Sequence, residues 1–272
     1  MHDAAPYAFS DELRLEPSRP DAFRAQLHGF GGLTLGIAGH ALARTCPGRH
    51  MTAFHGTFLR AAEGEGPADV SVVRLREGRL LAHRRVEIRR GDRVLFEANG
   101  TFATPADGIG FQQVAPDLDV PAPEALPDER EVAEREGMEY WGGPVAFRWI
   151  GSPWPVAGPG EGTRWSVWVR PHQPLNGDAA LQAGALAFLC DIHCDYAVRR
   201  RLGPEFTRDR FVSLEQSLWV HDPAPWDDWW LMTSDTDTAA AGRALNWRWL
   251  HDRTGRHLAT MAQHSLLRDA PE

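Results

Sequence analysis

Phe54-His55-Gly56-Thr57-Phe58-Leu59-Arg60 and Glu215-Gln216-Ser217-Leu218-Trp219-Val220-His221 are the two stretches that decide the fold. Each opens a run of strand-like segments, and each follows a long apolar, helix-like stretch with few breakers inside it. Later in each half a glycine turn precedes a closing strand: Arg90-Gly91-Asp92-Arg93 in the first, Thr254-Gly255-Arg256-His257 in the second. Aligned on those turns, Asn99 falls opposite Gln263. Aligned on the earlier strands, Thr52 falls opposite Ser213. The chain reads as one unit made twice, with the same polar positions in both copies.

Working outward from the first run, Gly29-Phe30-Gly31-Gly32 leads into residues 33–44. Leu33, Leu35, Ile37, Ala38, Ala41 and Leu42 fit a largely buried helix there, and Pro47-Gly48 ends it. Strands are expected at 51–60, 69–76, 80–90 and 93–103, with Glu77-Gly78 and Gly91-Asp92 as turns. An earlier strand is expected within 7–17, broken at Pro17 and Pro20. Residues 104–143 differ: Pro105, Pro116, Pro121, Pro123 and Pro127 are followed by an acidic run from Asp128 to Glu136. This reads as a linker with a short surface helix in its second half. Strands at 145–150 and 163–170 come next, then a helix from Ala179 to Arg201, interrupted only by Gly184. It ends in Arg199-Arg200-Arg201, with Gly203-Pro204 beyond. Strands at 211–221, 229–237, 243–251 and 257–267 complete the second copy. The expected division is an N-terminal unit at 1–104, a linker at 105–143 and a C-terminal unit at 144–272.

The bulk numbers exclude several function classes. A net charge of −8 argues against a nucleic-acid surface, which is basic. All 29 basic residues are arginines, so Lys-based catalysis and a Walker-type phosphate loop are excluded. An apolar fraction of 43% with 11 Trp is ample for a core. The three cysteines, Cys46, Cys190 and Cys194, are too few for a disulfide framework and suit a reduced cytoplasm. The first twenty residues carry no apolar run of signal length, and no apolar stretch of about 18 residues is present, so no membrane span is expected.

The two helices differ in one respect that bears on chemistry. The first, from Phe30 to Thr45, contains no Asp or Glu. The second holds Asp191 among Ala185, Leu186, Ala187, Phe188, Leu189, Cys190 and Ile192. A carboxylate on an apolar face is costly unless paired or solvated through a pocket, and such a group is a candidate general base. Spacing leaves open whether Asp191 lies at the solvent edge, or whether Asp195, one turn later, is the inward carboxylate. Strict alternation puts Ser213 on one face with Glu215, Ser217 and Trp219, and Gln263 with Ala259, Met261, Ser265 and Leu267. Taken alone, both read as ordinary satisfied polar groups.

Other constellations are weaker. Cys190, His193 and Cys194 crowd one stretch, but a metal would need further ligands. His193 lies nearly opposite Asp191 around a helix, so the two do not form a dyad. No Gly-x-Ser-x-Gly elbow is present, and Gly29-x-Gly31-Gly32 lacks the spacing and the βαβ context of a dinucleotide site. Trp226, Trp229 and Trp230 read as core and loop packing.

An ordered set of pieces resembles the acyl-CoA thioesterase II (TesB-like) family, whose members are double hotdogs. The pieces are Phe30-Gly31-Gly32, the 54–60 run, Arg74-Leu75-Arg76-Glu77-Gly78-Arg79, Arg84-Arg85-Val86, Asn99-Gly100-Thr101-Phe102 and Ser217-Leu218-Trp219-Val220-His221. The resemblance implies an α+β double hotdog: two antiparallel sheets, each wrapped around a long helix, with the sheets running together. It implies thioester hydrolysis by a water that an Asp, a Thr or Ser and a Gln hold and activate. By position these are Asp191, Ser213 and Gln263, with Thr52 and Asn99 in a degenerate first copy. Two departures stand out: Glu215-Gln216 replaces the family's usual Asp-His, and His193 replaces an uncharged polar residue. No metal or organic cofactor is implied. The implied substrate is an acyl thioester of CoA or of an acyl carrier protein, and the implied assembly is a homodimer or larger. The competing functions are a hotdog dehydratase or hydratase, which would draw on His40 or His193, and a non-catalytic acyl-thioester binding protein.

Overall fold

The computed structural model describes residues 8–106, 108–113, 116, 118–137, 140, 143–151, 162–203 and 205–269. The chain opens with α1 (Phe9–Glu12), β1 (Glu16–Arg19) and β2 (Ala22–Leu27). The strand expected within 7–17 is instead a helical turn. Phe9 and Leu13, four residues apart, both bury their side chains, as helical spacing requires. β1 starts only at Glu16 and forms the edge of the sheet, where Pro17 is tolerated. β2, which the sequence reading missed, buries Phe23, Ala25 and Leu27 and exposes Arg24 and Gln26.

The rest of the first unit runs as expected: α2 (Gly31–Arg44), β3 (His50–Phe58), β4 (Gly66–Glu77), β5 (Leu81–Arg90) and β6 (Arg93–Ala103). The acidic stretch forms α3 (Glu129–Glu136), started by an Asp128–Glu131 capping box and stopped by Gly137 in the left-handed conformation. Then come β7 (Val145–Trp149), β8 (Trp165–Pro171), α4 (Ala179–Leu189), α5 (Tyr196–Leu202), β9 (Phe211–Val220), β10 (Trp230–Ala240), β11 (Arg243–His251) and β12 (His257–Leu267). Most of the expected loop between β7 and β8, residues 152–161, lies outside the described residues.

Among the described residues, twelve strands form one antiparallel sheet in the order β1-β2-β4-β5-β6-β3-β9-β12-β11-β10-β8-β7. The two runs that repeat in the sequence are the two strands that join the halves. β3 pairs with β9 from Ala53↔Trp219 to Thr57↔Glu215. This is a double hotdog whose two sheets have merged into one. Inside it α2 and α4 cross antiparallel at backbone contact. A Cβ on Gly36 would stand 3.3 Å from Gly184 O, and one on Gly184 would stand 2.9 Å from Gly36 O. Glycine here is a packing requirement, because any side chain would force the helices apart.

Each central helix ends against a buried arginine. Arg84 on β5 donates from Nη2 to Thr45 O (3.2 Å), at the end of α2, and pairs with Glu77. Arg248 on β11 donates from Nη1 to Leu189 O (2.9 Å) and Cys190 O (3.1 Å), at the end of α4. Helix C-termini leave carbonyls without partners, and a buried guanidinium satisfies them while opposing the negative end of the dipole.

Candidate active site

The helix expected over 179–201 is broken. After Leu189 the backbone tightens to bonds three residues back, as in Asp191 N→Phe188 O (3.3 Å) and Ile192 N→Leu189 O (3.3 Å). His193 then adopts a left-handed φ of 50°, and α5 restarts at Tyr196. Arg248 draws off the carbonyls of Leu189 and Cys190, and Gln216 Nε2 also reaches Cys190 O (3.4 Å). Asp191 is therefore the second residue past the end of α4. Its side chain leaves the helix axis and is buried at 5% exposure.

Among the described residues, all the hydrogen bonds to its carboxylate fall on one oxygen. Oδ1 accepts from Ser213 Oγ (2.7 Å) and Gln263 Nε2 (2.9 Å), with longer contacts from Gln216 Nε2 (3.4 Å) and Cys194 Sγ (3.6 Å). Gln263 Nε2 also lies 2.8 Å from Ser213 Oγ. The structure thus brings Asp191, Ser213 and Gln263 together and adds two residues that sequence reasoning did not assign to the site. The face reading of β9 fails at a bulge: Ser213 pairs with Ser265 and Glu215 with His264, leaving Leu214 extra. One added residue flips the alternation, so Ser213 and Gln216 turn inward while Glu215 is exposed. In the sequence Gln216 stands out only as part of the Glu215-Gln216 departure from the family pattern. The Oε1 atoms of Gln216 and Gln263 are buried acceptors without a partner. Such atoms are commonly satisfied by water.

Oδ2 faces the other half of the molecule. A Cβ on Gly31, the first residue of α2, would stand 2.6 Å from it. The N-cap residue of α2, Phe30, makes no side-chain cap bond. This helix start lines a cavity of about 720 Å³ whose lining comes from both units. Gly29, Phe30, Gly31, Phe58 and Leu95 belong to the first; Asp191, Cys194, Phe211, Val212, Ser213 and Leu266 to the second. Burial pushes the Asp191 carboxyl above the ordinary carboxylate range, while the Ser213 hydroxyl and the charges of Arg208 and Arg248 pull it back down. Burial, with Asp191 and Asp195 nearby, pushes the Cys194 thiol well up and keeps it a protonated donor.

The remaining candidates fall elsewhere. Asp195 is also buried and lines the cavity, but it is paired with Arg199 (3.0 Å). Thr52 bonds Thr101 O (3.2 Å) within the sheet. Asn99 is exposed, and its neighbours Ala98 and Gly100 face inward. The turn alignment that set it opposite Gln263 fails because the β5–β6 turn closes at Arg90↔Arg93 while β11–β12 closes at His251↔His257, a longer loop. His40 Nδ1 is held by Leu13 O (2.8 Å), and His193 sits among the rings of Phe147, Trp149 and Tyr196. Neither imidazole lines the cavity. Among the described residues no group of three or more His, Cys, Asp or Glu is placed to hold a metal, and no helix is long and apolar enough to cross a membrane.

Comparison with known proteins agrees with this architecture. Residues 19–103 match the model of the acyl-CoA thioesterase N-terminal domain, and residues 120–267 match that of the acyl-CoA thioesterase C-terminal domain. The chain belongs to the acyl-CoA thioesterase family. It is a TesB-like member and a thioester hydrolase. This thioesterase is 23% identical to mouse acyl-coenzyme A thioesterase 8, across 96% of this chain and 88% of that one. Among solved structures it is similar to the acyl-CoA thioesterase II TesB2 from Mycobacterium marinum, with 25% identity and a TM-score of 0.78, covering 97% and 99% of the two chains. It is likewise similar to a tesB protein from Mycobacterium avium subs paratuberculosis, with 25% identity and a TM-score of 0.76, covering 96% and 98%.

Proposed function

We propose that Asp191 is the general base of this thioesterase and that Ser213 and Gln263 fix its orientation and that of the attacking water. The reading rests above all on the split use of the carboxylate: Oδ1 accepts from Ser213 and Gln263, while Oδ2 is turned toward Gly31 and the cavity. Water bound at Oδ2 attacks the thioester carbonyl carbon, and its proton passes to Asp191. The carbonyl oxygen becomes an oxyanion beside the uncapped N–H groups of α2, which stabilise it as fixed dipoles. The carbon–sulfur bond then breaks, the thiolate takes the proton from Asp191, and the products are a carboxylic acid and a thiol. Orientation and one base suffice, because a thioester carbonyl is already a good electrophile.

The acyl chain lies in the apolar part of the cavity, among Phe30, Phe58, Leu95, Phe211 and Leu266. The decisive experiment measures thiol release from a panel of acyl-CoAs beside hydration of an enoyl-CoA. Hydrolysis without hydration is expected. Hydration without hydrolysis would favour the dehydratase reading, and binding without either would favour a carrier. We also propose a homodimer or larger assembly, which a strict monomer by light scattering at micromolar concentration would refute.

A further inference from the structure

We propose that a second pocket, on the face of β7 and β8 turned away from the main core, binds a small phosphate-type dianion. It shares no lining residue with the cavity that holds Asp191. Val145, Phe147 and Trp149 of β7 and Val167 and Val169 of β8 belong to the main core. Strand alternation therefore turns Ala146, Arg148 and Arg170 to the opposite face, where Trp168, Trp229 and Leu231 form a small core of their own. α3 packs against β7 there. The pocket, of about 220 Å³, is lined by Arg130 of α3, Arg148, Arg170, His172 and Trp229 with their neighbours.

The cations are held in place by rings. Arg148 Cζ lies 5.7 Å and Arg170 Cζ 4.6 Å from the centre of the Trp229 ring, and Arg130 Cζ lies 5.0 Å from that of Tyr140. Stacking fixes the plane of a guanidinium and leaves its N–H edge for an acceptor. Two buried polar atoms of this lining, Arg148 Nη1 and His172 Nε2, have no hydrogen-bond partner. Buried polar atoms rarely stay in that state. Arg148 Nη1 is 3.6 Å from Asp128 Oδ2, beyond hydrogen-bond length. The arginines converge on His172: burial first, then the charges of Arg170, Arg130 and Arg148, push its pKa down, so the imidazole is neutral.

Charge decides the class of ligand. Three guanidiniums face two acids in the lining, Asp128 and Glu129. Asp128 Oδ1 accepts from Glu131 N (2.8 Å). Burial pushes Glu129 up to about 8, so at neutral pH it is protonated and does not repel an anion. Glu124, close by, is paired with Arg253. The local excess of positive charge, on a chain of net charge −8, suits a dianion. Guanidinium forks match phosphate oxygens in geometry as well as charge. Drug-sized ligands fill roughly 300 Å³ or more, so the ligand that fits here is free phosphate or the phosphate end of a small metabolite. Bound between α3 and the strands, it adds to the stability of the folded chain.

The test is calorimetric titration with inorganic phosphate and with glycerol 3-phosphate at pH 7 and constant ionic strength, beside thermal scans in matched chloride. Saturable binding is expected, with a rise in Tm that chloride does not give. Tighter binding of phosphate assigns the site to the free ion; tighter binding of glycerol 3-phosphate assigns it to a phosphorylated metabolite. Arg148→Gln/Arg170→Gln should weaken binding roughly tenfold or more, the scale of losing charge-assisted bonds. If the double variant does not fold, Arg170→Gln alone, at an exposed position, carries the comparison. No saturable binding by wild type, or equal binding by a folded variant, would overturn the proposal. Thioester hydrolysis is not read in this experiment, so neither result touches the thioesterase reading.

Discussion

The two halves of this thioesterase share a plan and differ at the ends of their central helices. At one end of the helix pair, the N-terminus of α2 is uncapped and meets Asp191 across a cavity. At the other end, the N-terminus of α4 is capped by Asp178, which accepts from Ala180 N (2.9 Å) and Leu181 N (3.0 Å). The loop after β9 closes over that end: Gln182 donates to Ala224 O (2.7 Å) and accepts from Trp226 N (3.1 Å), while Phe9 packs on Trp226 and Phe188. The matching loop after β3 lines the cavity instead, through Leu59, Arg60, Ala61 and Ala62. The last strands differ as well. Gln263 of β12 reaches Asp191, whereas Gly100 of β6 carries no side chain, and a Cβ there would crowd Phe102 Cε2 (2.9 Å) and Leu42 Cδ1 of α2 (3.1 Å). A duplicated fold thus offers two equivalent crevices, and the sequence has filled one with core and left the other open to solvent.

The largest effect expected from breaking this asymmetry is at the carboxylate. Asp191→Asn keeps the shape and an oxygen that can accept the bonds of Oδ1 but removes the proposed base, so thiol release should fall roughly 10²-fold or more. Its thermal unfolding should be unchanged or shifted upward. Because the folded pKa of Asp191 is raised, the folded state holds that proton more tightly than the unfolded chain. Stability therefore declines as pH rises from the ordinary carboxylate range through the raised value, and the variant should lose that decline. Next in size is Gly31→Ala, whose methyl would stand 2.6 Å from Asp191 Oδ2 and intrude on the proposed position of the water. A loss of roughly tenfold or more in kcat is expected, since small displacements at a reacting centre are costly.

The paired arginines separate stability from turnover. Arg84→Met and Arg248→Met each strand buried carbonyls at a helix end, so each should cost about 2–4 kcal/mol in denaturant unfolding. Only Arg248 holds the break that delivers Asp191, so only its variant should also lower turnover per folded molecule. Equal turnover losses in both would erase the functional distinction between the halves. The smallest effect is expected in the first half: Thr52→Ala and Asn99→Ala, neither of which lines the cavity, should leave thioester hydrolysis within about twofold of wild type.

Much of this plan was legible before any coordinates. The duplicated helix-and-meander order, the run 54–60 and its counterpart, and a carboxylate on one helix alone fixed the fold and pointed to Asp191. What escaped was set by single-residue irregularities that periodicity averages away. A bulge at Leu214 turned Gln216 inward, and turns of unequal length displaced Asn99 from its supposed match. The break after Leu189 was hidden because its cause, Arg248, lies far along the chain on β11. The share of the first unit in the cavity was hidden for the same reason: only antiparallel packing of α2 on α4 brings Gly31 to Asp191.

The most direct test of Asp191 as the titrating base is the acid limb of kcat/KM for acyl-CoA hydrolysis, followed in wild type and in Ser213→Ala. Wild type should lose activity as pH falls through a single ionisation above the ordinary carboxylate range, because the base must be unprotonated and burial raises its pKa. Ser213 stabilises the charged form by its 2.7 Å bond to Oδ1, so its removal should move the limb to still higher pH. An acid limb in the ordinary carboxylate range, or one that stays in place when Ser213 is replaced, would contradict the assignment.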